Sequence, residues 1–274
     1  MALGAAEFDF IRRLVLDQSA IVLDADKTYL VESRLLPLAR REGLDSIGGL
    51  VGRLRGAPFN GLHQEVVEAM TTNETSFFRD FHPFEMLRKG VLPELLARRA
   101  DERRLNIWCA ACSAGQEPYS VGMVLREHFP QLANWNVRIL ASDISREMVE
   151  RAREGRYSQL EVNRGLPASL LVKYFQKQGC EWQIQPSIRG MVDFTLFNLA
   201  AAWPPLPPMD IILMRNVLIY FSVETKKNIL AKIRRQLKPD GFLLLGGAET
   251  TFNLDESYQR VQFDRGACYR VQAA

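Results

Sequence analysis

Short apolar runs that alternate with amphipathic stretches fill the chain from Arg104 onward and constrain its fold more than any other feature. The apolar runs cover residues 106–111, 137–142, 192–199, 211–214 and 242–245, and helical periodicity covers residues 117–129, 146–153 and 224–237. Strands that alternate with helices build a mostly parallel, doubly wound sheet with helices on both faces. We therefore predict an α/β domain over the C-terminal two-thirds of the chain.

Only helical periodicity is present before that domain. Phe8, Ile11 and Val15 recur at helical spacing, and a leucine-rich segment follows over residues 28–41. We predict a small all-α domain over residues 1–72 and the α/β domain over residues 73–274. The polar interval at about 175–192, with apolar residues at Trp182 and Ile184, predicts a small antiparallel β insertion in the second domain.

Composition excludes several classes of protein. Hydrophobic residues make up 47% and charged residues 24% of the chain, which is the balance of a globular protein rather than a disordered or fibrous one. A net charge of +3 is too small a bias to indicate a nucleic-acid partner. No apolar run reaches the roughly 18 residues that span a bilayer, and the four cysteines are too sparse for a disulfide framework. We expect a cytoplasmic protein with reduced thiols and no direct membrane insertion.

Polar residues follow two of the predicted strands where each strand ends. The first strand runs into residues 112–118 (CSAGQEP), a turn of small residues before a helix, and the second ends at Asp143. Either feature alone is also typical of an ordinary tight turn or a helix cap. Together they lie at the carboxyl edge of adjacent strands, where open α/β sheets bind ligands, and an acid there can accept both hydroxyls of a ribose.

The order of these features resembles a known class of enzymes. A late turn and strand, residues 237–241 (LKPDG) followed by an apolar run, completes a series that is similar to the class I S-adenosylmethionine-dependent methyltransferases, which have a Rossmann-like fold. The chain lacks the G-x-G-x-x-G motif that cradles a pyrophosphate, which argues against a dinucleotide cofactor.

Two segments narrow the resemblance to one family. Residues 70–80 (MTTNETSFFRD) and 214–221 (MRNVLIYF) closely resemble the CheR family of chemotaxis receptor methyltransferases. The likeness extends to residues 117–120 (EPYS), 141–144 (ASDI) and 197–199 (FNL), and it covers nearly the whole chain.

The resemblance implies methyl transfer from S-adenosylmethionine to glutamates on the cytoplasmic helices of methyl-accepting chemotaxis receptors, which forms glutamyl methyl esters for sensory adaptation. A glutamate carboxylate, with a pKa of about 4.3, is ionised at neutral pH and needs no general base. Neither a metal nor a catalytic histidine is expected, so His63, His82 and His128 are predicted to be structural or surface residues.

The resemblance also implies the site residues. The positions that match the family's cofactor-binding residues are Asn73, Thr75, Arg79, Glu117, Asp143, Asn198, Leu199, Arg215 and Asn216. Glu117 would hold the cofactor's ammonium group, Asp143 its ribose, and Asn198 with the Leu199 backbone its adenine. Arg79 and Tyr220 are the catalytic candidates, predicted to steer the incoming glutamate. Without the resemblance, the residues alone favour an ordinary solvated surface charge for Arg79 and a core aromatic for Tyr220.

Two further expectations concern the receptor. Lys27, Arg34 and Arg41 are seven residues apart, so on one helix they fall within about 40° of each other and form a candidate docking stripe for acidic receptor helices. They equally fit side-chain stems packed over an apolar face. In family members that dock on a C-terminal receptor pentapeptide, the resemblance implies a sheet edge beside a glycine-rich loop in this insertion. Here the insertion is short and has a single glycine over residues 176–181, which favours an enzyme that needs no such tether. We also expect a monomer.

Three rival interpretations stay open at this stage. Cys109 and Cys112 have the C-x-x-C spacing of thiol redox sites, although zinc would need a second ligand pair. A nucleic-acid methyltransferase shares the fold, but residues 215–218 (RNVL) replace the Asn/Asp-Pro-Pro-aromatic motif of the amino-methylating base enzymes. A sensor of the methyl donor would bind the cofactor and transfer nothing.

Overall fold

The computed structural model describes residues 3–263 and 266–272, and the chain divides into two compact units. One unit is Met1–Thr72 with Tyr220–Thr225, and the other is Asn73–Ile219 with Lys226–Ala274. Residues 220–225 thus belong to the first unit although they come late in the chain, which no local sequence pattern predicts. The outer ends of the predicted domains, at residues 1 and 274, lie outside the described residues.

The first unit is helical, as its periodicity predicts. Its helices are α1 (Ala5–Ser19), α2 (Thr28–Arg41), α3 (Ile47–Arg55) and α4 (Gly61–Ala69). Phe8, Ile11 and Val15 form the buried stripe of α1 and pack in one core with the apolar faces of the other helices. The side chains of Ser46 and Asn60 accept backbone N–H bonds and so fix the starts of α3 and α4.

The second unit is an α/β domain, as predicted. Its strands are β1 (Arg104–Ala110), β2 (Asn136–Asp143), β3 (Arg156–Ser158), β4 (Phe175–Gln178), β5 (Glu181–Ile184), β6 (Val192–Leu196), β7 (Met209–Met214), β8 (Leu237–Leu245), β9 (Tyr258–Phe263) and β10 (Gly266–Val271). Its helices are α5 (His82–Met86), α6 (Leu92–Arg98), α7 (Gln116–His128), α8 (Arg146–Glu154), α9 (Gln159–Asn163), α10 (Ala168–Tyr174), α11 (Pro186–Arg189) and α12 (Val223–Gln236), with a π-helical turn at Leu87–Val91 and 3₁₀ turns at Pro130–Asn134 and Leu218–Tyr220. The first three residues of α12 and the last residue of the second 3₁₀ turn belong to the first unit.

The large sheet has one topological switch point that matters for function. In the described part of the chain its seven strands follow the order β6-β2-β1-β7-β8-β10-β9, and β10 and β9 are antiparallel additions. The chain builds outward from β1 through β2 to β6 and then crosses back to place β7 on the other side of β1. Open α/β sheets bind ligands beside the carboxyl ends of the strands at such a reversal.

Some predicted boundaries differ from the structure. The strand predicted over residues 192–199 ends at Leu196, so Asn198 lies beyond it. Residues 238–241 do not form a simple turn, because β8 begins at Leu237 and its pairing with β7 shifts around them. The small antiparallel sheet contains the predicted hairpin, β4 and β5, but also β3 from far earlier in the chain. Strands β9 and β10 were not predicted, since their sequence alternates weakly between apolar and polar residues.

A cluster of buried charged side chains connects the amino-terminal ends of the parallel strands, at the edge of the sheet opposite their carboxyl ends. The fully buried Asp210 accepts hydrogen bonds from Arg99 Nε at 2.8 Å and from the backbone N–H of Asn106 at 2.8 Å, and its Oδ1 lies 3.0 Å from Lys238 Nζ. Arg99 also donates two bonds to the carboxylate of Asp240. Hydrogen bonding to these carboxylates raises the pKa of Arg99, so this buried cation stays charged.

None of the described helices combines the length and the apolar character that crossing a membrane would need.

Candidate active site

The turn between β1 and α7 has an unusual backbone that brings ligand-binding groups to the switch point. Ala111 and Ser113 adopt left-handed φ angles of 57° and 50°, and Gly115 has φ of 90°. A Cβ on Gly115 would lie 2.9 Å from the Cβ of Ala152, so both conformation and space require glycine. Left-handed non-glycine residues cost free energy and are concentrated at functional sites. The predicted small-residue turn is therefore confirmed as a tight turn under local strain.

Asp143 ends β2 beside this turn. Its Oδ2 accepts the backbone N–H of Ser113 at 2.8 Å, and its Oδ1 accepts that of Ser145 at 3.0 Å. These bonds orient a carboxylate that is almost completely buried. Because a carboxylate has about four acceptor positions, such a group can accept from the hydroxyls of a ligand as well as from two amides.

A buried ion pair spans the switch point between β1 and β7. Glu117, in the first turn of α7, accepts a hydrogen bond at 2.7 Å from the guanidinium of Arg215, which follows β7 directly. Burial raises the pKa of Glu117, and the opposing positive charge of Arg215 moderates that increase. Residues 98 positions apart thus meet because the crossover places β7 against β1.

Arg215 also holds the loop that carries Arg79. Its Nη2 donates to the carbonyl of Arg79 at 2.9 Å and to the carboxylate of Asp80 at 2.7 Å. Three residues of this loop, Phe78, Asp80 and Phe81, have left-handed φ angles. The Arg79 guanidinium donates to the carbonyl of Glu74 at 2.8 Å. The Arg215 guanidinium thus connects Glu117 to this loop. Its predicted role as a cofactor-binding residue stays a prediction.

The segment before this loop lies against the strained turn. The backbone carbonyl of Asn73 accepts a hydrogen bond at 2.8 Å from the hydroxyl of Ser113, so Asn73 is brought to the β1–α7 turn. Thr75, two residues on, is half-buried.

Asn198 and Leu199 follow β6 in a loop held by one lysine. The Asn198 side chain accepts the N–H of Ala200 at 2.9 Å, and Lys232 Nζ contacts three successive carbonyls, from Leu199 to Ala201, at 2.7 to 3.4 Å. A cavity of about 440 Å³ lies beside Asn198 and is bordered by Phe197 and Leu140. Of the two predicted adenine-binding residues, Asn198 therefore borders an open volume.

The remaining predicted residues fall in two places. The backbone N–H of Asn216 bonds to Glu249 at 2.7 Å in the α/β unit. Tyr220 belongs to the helical unit, where its backbone carbonyl accepts the N–H of Val22 at 2.9 Å, and its side chain is half-buried. Its predicted catalytic role stays a prediction.

The residues of the predicted docking stripe have partners within the helical unit. The Arg34 guanidinium donates to the carbonyls of Met70 and Thr71 at 2.9 and 2.7 Å, and its burial lowers the pKa of the side chain. Arg41 pairs with Glu65, and Lys27 lies 3.6 Å from Asp26. These contacts give Arg34 a structural role in joining α2 to the end of α4. Its role in docking a receptor stays a prediction.

Two family models match the chain in order. The model described as "CheR methyltransferase, all-alpha domain" matches residues 6–71, and "CheR methyltransferase, SAM binding domain" matches residues 73–267. The chain belongs to the CheR methyltransferase family.

Named relatives agree with this assignment over the full length. The chain is 42% identical to "Chemotaxis protein methyltransferase Cher2" of Pseudomonas putida and 43% identical to "Chemotaxis protein methyltransferase 1" of Pseudomonas aeruginosa, in each case over 99% of this chain and 100% of the relative. A solved glycopeptide N-methyltransferase with bound S-adenosylmethionine aligns with 64% of this chain and 51% of its own, at a TM-score of 0.37 and 10% identity, and is too distant to add to the assignment.

The donor set of this CheR chain fits S-adenosylmethionine. Two buried polar atoms beside the ion pair, Gln116 Oε1 and Arg215 Nε, have no hydrogen-bond partner among the described residues. Both atoms are available to polar groups of a bound ligand, since leaving buried polar atoms unpaired is costly. The two carboxylates, Asp143 and Glu117, match the two features of the cofactor that need them, a vicinal diol and an ammonium group.

The burial of the two C-x-x-C thiols argues against the redox interpretation. Cys109 and Cys112 are buried, and burial raises the pKa of each well above its ordinary value, whereas reactive redox thiols need a lowered pKa. Of the four cysteines, all within the described residues, only Cys180 is exposed.

A thiol titration of this CheR protein is expected to show that difference. In the native state Ellman's reagent should modify Cys180 alone, and all four thiols should react after denaturation. The matched Cys180→Ser variant should give no native reaction. Rapid native modification of Cys109 or Cys112 would contradict the burial described here.

One buried acid at this edge of the sheet, Glu249, was missed by the sequence reasoning. Its carboxylate binds the loop after β7, more than thirty residues earlier. The only local signal was its position just after the last parallel strand, at the ligand-binding edge.

Proposed function

We propose that this chain transfers a methyl group from S-adenosylmethionine to glutamate side chains of chemotaxis receptors and forms glutamyl methyl esters. The supporting observation is the pair of buried, hydrogen-bonded carboxylates, Asp143 and Glu117, at the switch point of a CheR-family chain. The names of the relatives support the pathway, since they are chemotaxis protein methyltransferases.

Methyl transfer to a carboxylate requires that the enzyme bind and align the two reactants, and it requires no general base. When bound, the cofactor supplies a methyl group on a sulfonium cation, and an ionised carboxylate can attack it directly. The three histidines suit such a reaction, because His63 is buried in the helical unit and bonded to the carbonyl of Leu54, while His82 and His128 are exposed.

Each residue then has a binding or orienting role. In this proposal Asp143 accepts from the ribose hydroxyls, Glu117 holds the ammonium group, and Asn198 with Leu199 holds the adenine. Arg215 keeps Glu117 in place, and alignment of reacting groups supplies much of the rate. Arg79 and Tyr220 are proposed to steer the substrate carboxylate, a role that rests on the resemblance.

We also propose that no receptor pentapeptide is needed as a tether. Strands β4 and β5 are joined by residues 179 and 180 alone, so the hairpin carries no glycine-rich loop beside its edge. Strand addition at that edge would have to rely on the four residues of β4. Micromolar binding of an isolated receptor-tail pentapeptide would contradict this proposal.

The proposed activity is tested by incubation with methyl-labelled S-adenosylmethionine and cytoplasmic receptor fragments. The expected product is a base-labile ester, so mild alkali should release the label as methanol. A fragment whose candidate glutamates are replaced by alanine is the matched control and should take up no label. Label that resists alkali would indicate N-methylation, and cofactor binding without transfer would indicate a sensor.

A further inference from the structure

The carboxylate of Glu249 accepts hydrogen bonds from backbone amides in two segments of the α/β unit. Its Oε2 accepts the N–H groups of Gly246 and Asn216, each at 2.7 Å, and its Oε1 accepts those of Val217 and Leu218 at 2.8 and 2.7 Å. The residue is almost completely buried. Bonds from amides to a charged acceptor are stronger than bonds between neutral groups, so this is a firm anchor.

The amides belong to a loop whose backbone is shaped to surround an anion. Asn216 has a left-handed φ of 58°, and the amides of residues 216–218 point to the same carboxylate. Successive amides in such a conformation form a concave anion-binding nest. Here the carboxylate of Glu249 occupies the nest, which indicates that this anion holds the loop in place.

The turn after β8 places the Glu249 carboxylate against the loop that follows β7. The N–H of Glu249 bonds to the carbonyl of Gly246 at 2.9 Å and closes a turn. A Cβ on Gly246 would lie 2.7 Å from Glu249 Oε2 and 2.8 Å from the backbone nitrogen of Asn216. Only glycine therefore permits this close approach of the β7 and β8 ends.

The loop that Glu249 holds begins at the residues that define the candidate site. Arg215 directly precedes the nest, and its guanidinium fastens both Glu117 and the carbonyl of Arg79. A displacement of the backbone at Asn216 would therefore move Arg215 and loosen its partners. Shifts of about 1 Å in such supports can lower rates by roughly 100-fold.

We propose that Glu249 is a positioning residue for methyl transfer, which holds the loop after β7 so that Arg215 and Asn216 keep the cofactor site in shape. This inference rests on the proposed function in that it takes Glu117, Arg215 and Asn216 as the cofactor site. Glu249 itself acts through the loop and not on the reacting atoms.

The test is the Glu249→Gln variant, which keeps the shape but replaces one acceptor oxygen with an NH₂ group that faces amide donors. The dissociation constant for S-adenosylhomocysteine, measured by calorimetry, is expected to rise at least about 10-fold, as for other lost orienting contacts. Hydrogen exchange at the amides of residues 216–218 is expected to accelerate, while exchange in β1 stays unchanged.

Asp210→Asn is the matched control, because Asp210 is also a buried carboxylate that accepts a backbone amide, but at the opposite edge of the sheet. It should lower the melting temperature and leave the dissociation constant unchanged. Wild-type cofactor affinity in folded Glu249→Gln protein would overturn the proposal. If that variant does not fold, Gly246→Ala displaces the same loop, and wild-type affinity in it would overturn the proposal equally.

Both readouts are made without a receptor. A failure of the proposed function would appear as no base-labile label on receptor fragments while the cofactor affinities still separate the two variants. A failure of the positioning role would appear as equal affinities whatever the substrate proves to be.

Discussion

Asp210→Ala is expected to lower the free energy of unfolding by about 3–5 kcal/mol, the range for removing one partner of a buried ion pair. The substitution would leave the buried Arg99 guanidinium with one carboxylate instead of two and the N–H of Asn106 without its acceptor. For a domain of about 200 residues this corresponds to a fall in melting temperature of about 6–20 °C. Differential scanning calorimetry measures it directly.

The control is Asp193→Ala, which removes an exposed carboxylate from an ion pair with exposed Arg138. Surface pairs of this kind contribute about 0–1 kcal/mol, so the melting temperature should hardly move. A loss of less than about 1 kcal/mol in Asp210→Ala would show that the cluster at the sheet edge relaxes or hydrates on losing its central acid.

Asp143→Ala is expected to weaken cofactor binding by roughly 2–4 kcal/mol, because two charge-assisted hydrogen bonds to the ribose would be lost. That is about 30- to 1000-fold in the dissociation constant. The structure adds a second cause. The same carboxylate orients Ser113 and Ser145, so its removal also loosens the strained turn. Calorimetry with S-adenosylhomocysteine provides the measurement, and circular dichroism checks that the variant is folded.

Asp210→Ala is the natural comparison for this experiment. Asp210→Ala should lose stability and keep its cofactor affinity. Asp143→Ala should lose cofactor affinity and keep its stability, because the two acids lie at opposite edges of one sheet. Unchanged affinity in a folded Asp143→Ala protein would remove Asp143 from the cofactor site.

The contacts of Arg215 give that residue a structural role beside its predicted role in cofactor binding. The family resemblance implies that Arg215 binds the cofactor, and in the structure its guanidinium also bonds to Glu117, to the carbonyl of Arg79 and to Asp80. It therefore neutralises the acid expected to hold the ammonium group and fixes a loop with left-handed residues. Its direct contact with the cofactor stays a prediction.

Much of the fold was predictable because periodicity is a local property. Helical spacing of Phe8, Ile11 and Val15 identified α1, and short apolar runs identified the five parallel strands of the large sheet. The small-residue turn after β1 and Asp143 at the end of β2 lie at carboxyl ends of those strands, so the general rule for open α/β sheets predicted where the candidate site lies. Arg215 was predicted only from the family resemblance. Strand β3 was missed because it has only three residues, and β9 and β10 were missed because their sequences alternate weakly between apolar and polar residues.

The sequence by itself determined the two-part architecture, the family and the residue types at the strand ends, since element type and motif are encoded within a few adjacent residues. Only the tertiary structure decided which charges meet. Glu117 pairs with Arg215, Asp210 pairs with Arg99, and Glu249 bonds to the loop after β7. These partners are 98, 111 and about 30 residues apart in sequence. The physical reason is that a buried charge must be paired, and the available partner depends on strand order, which the return of the chain to β1 sets.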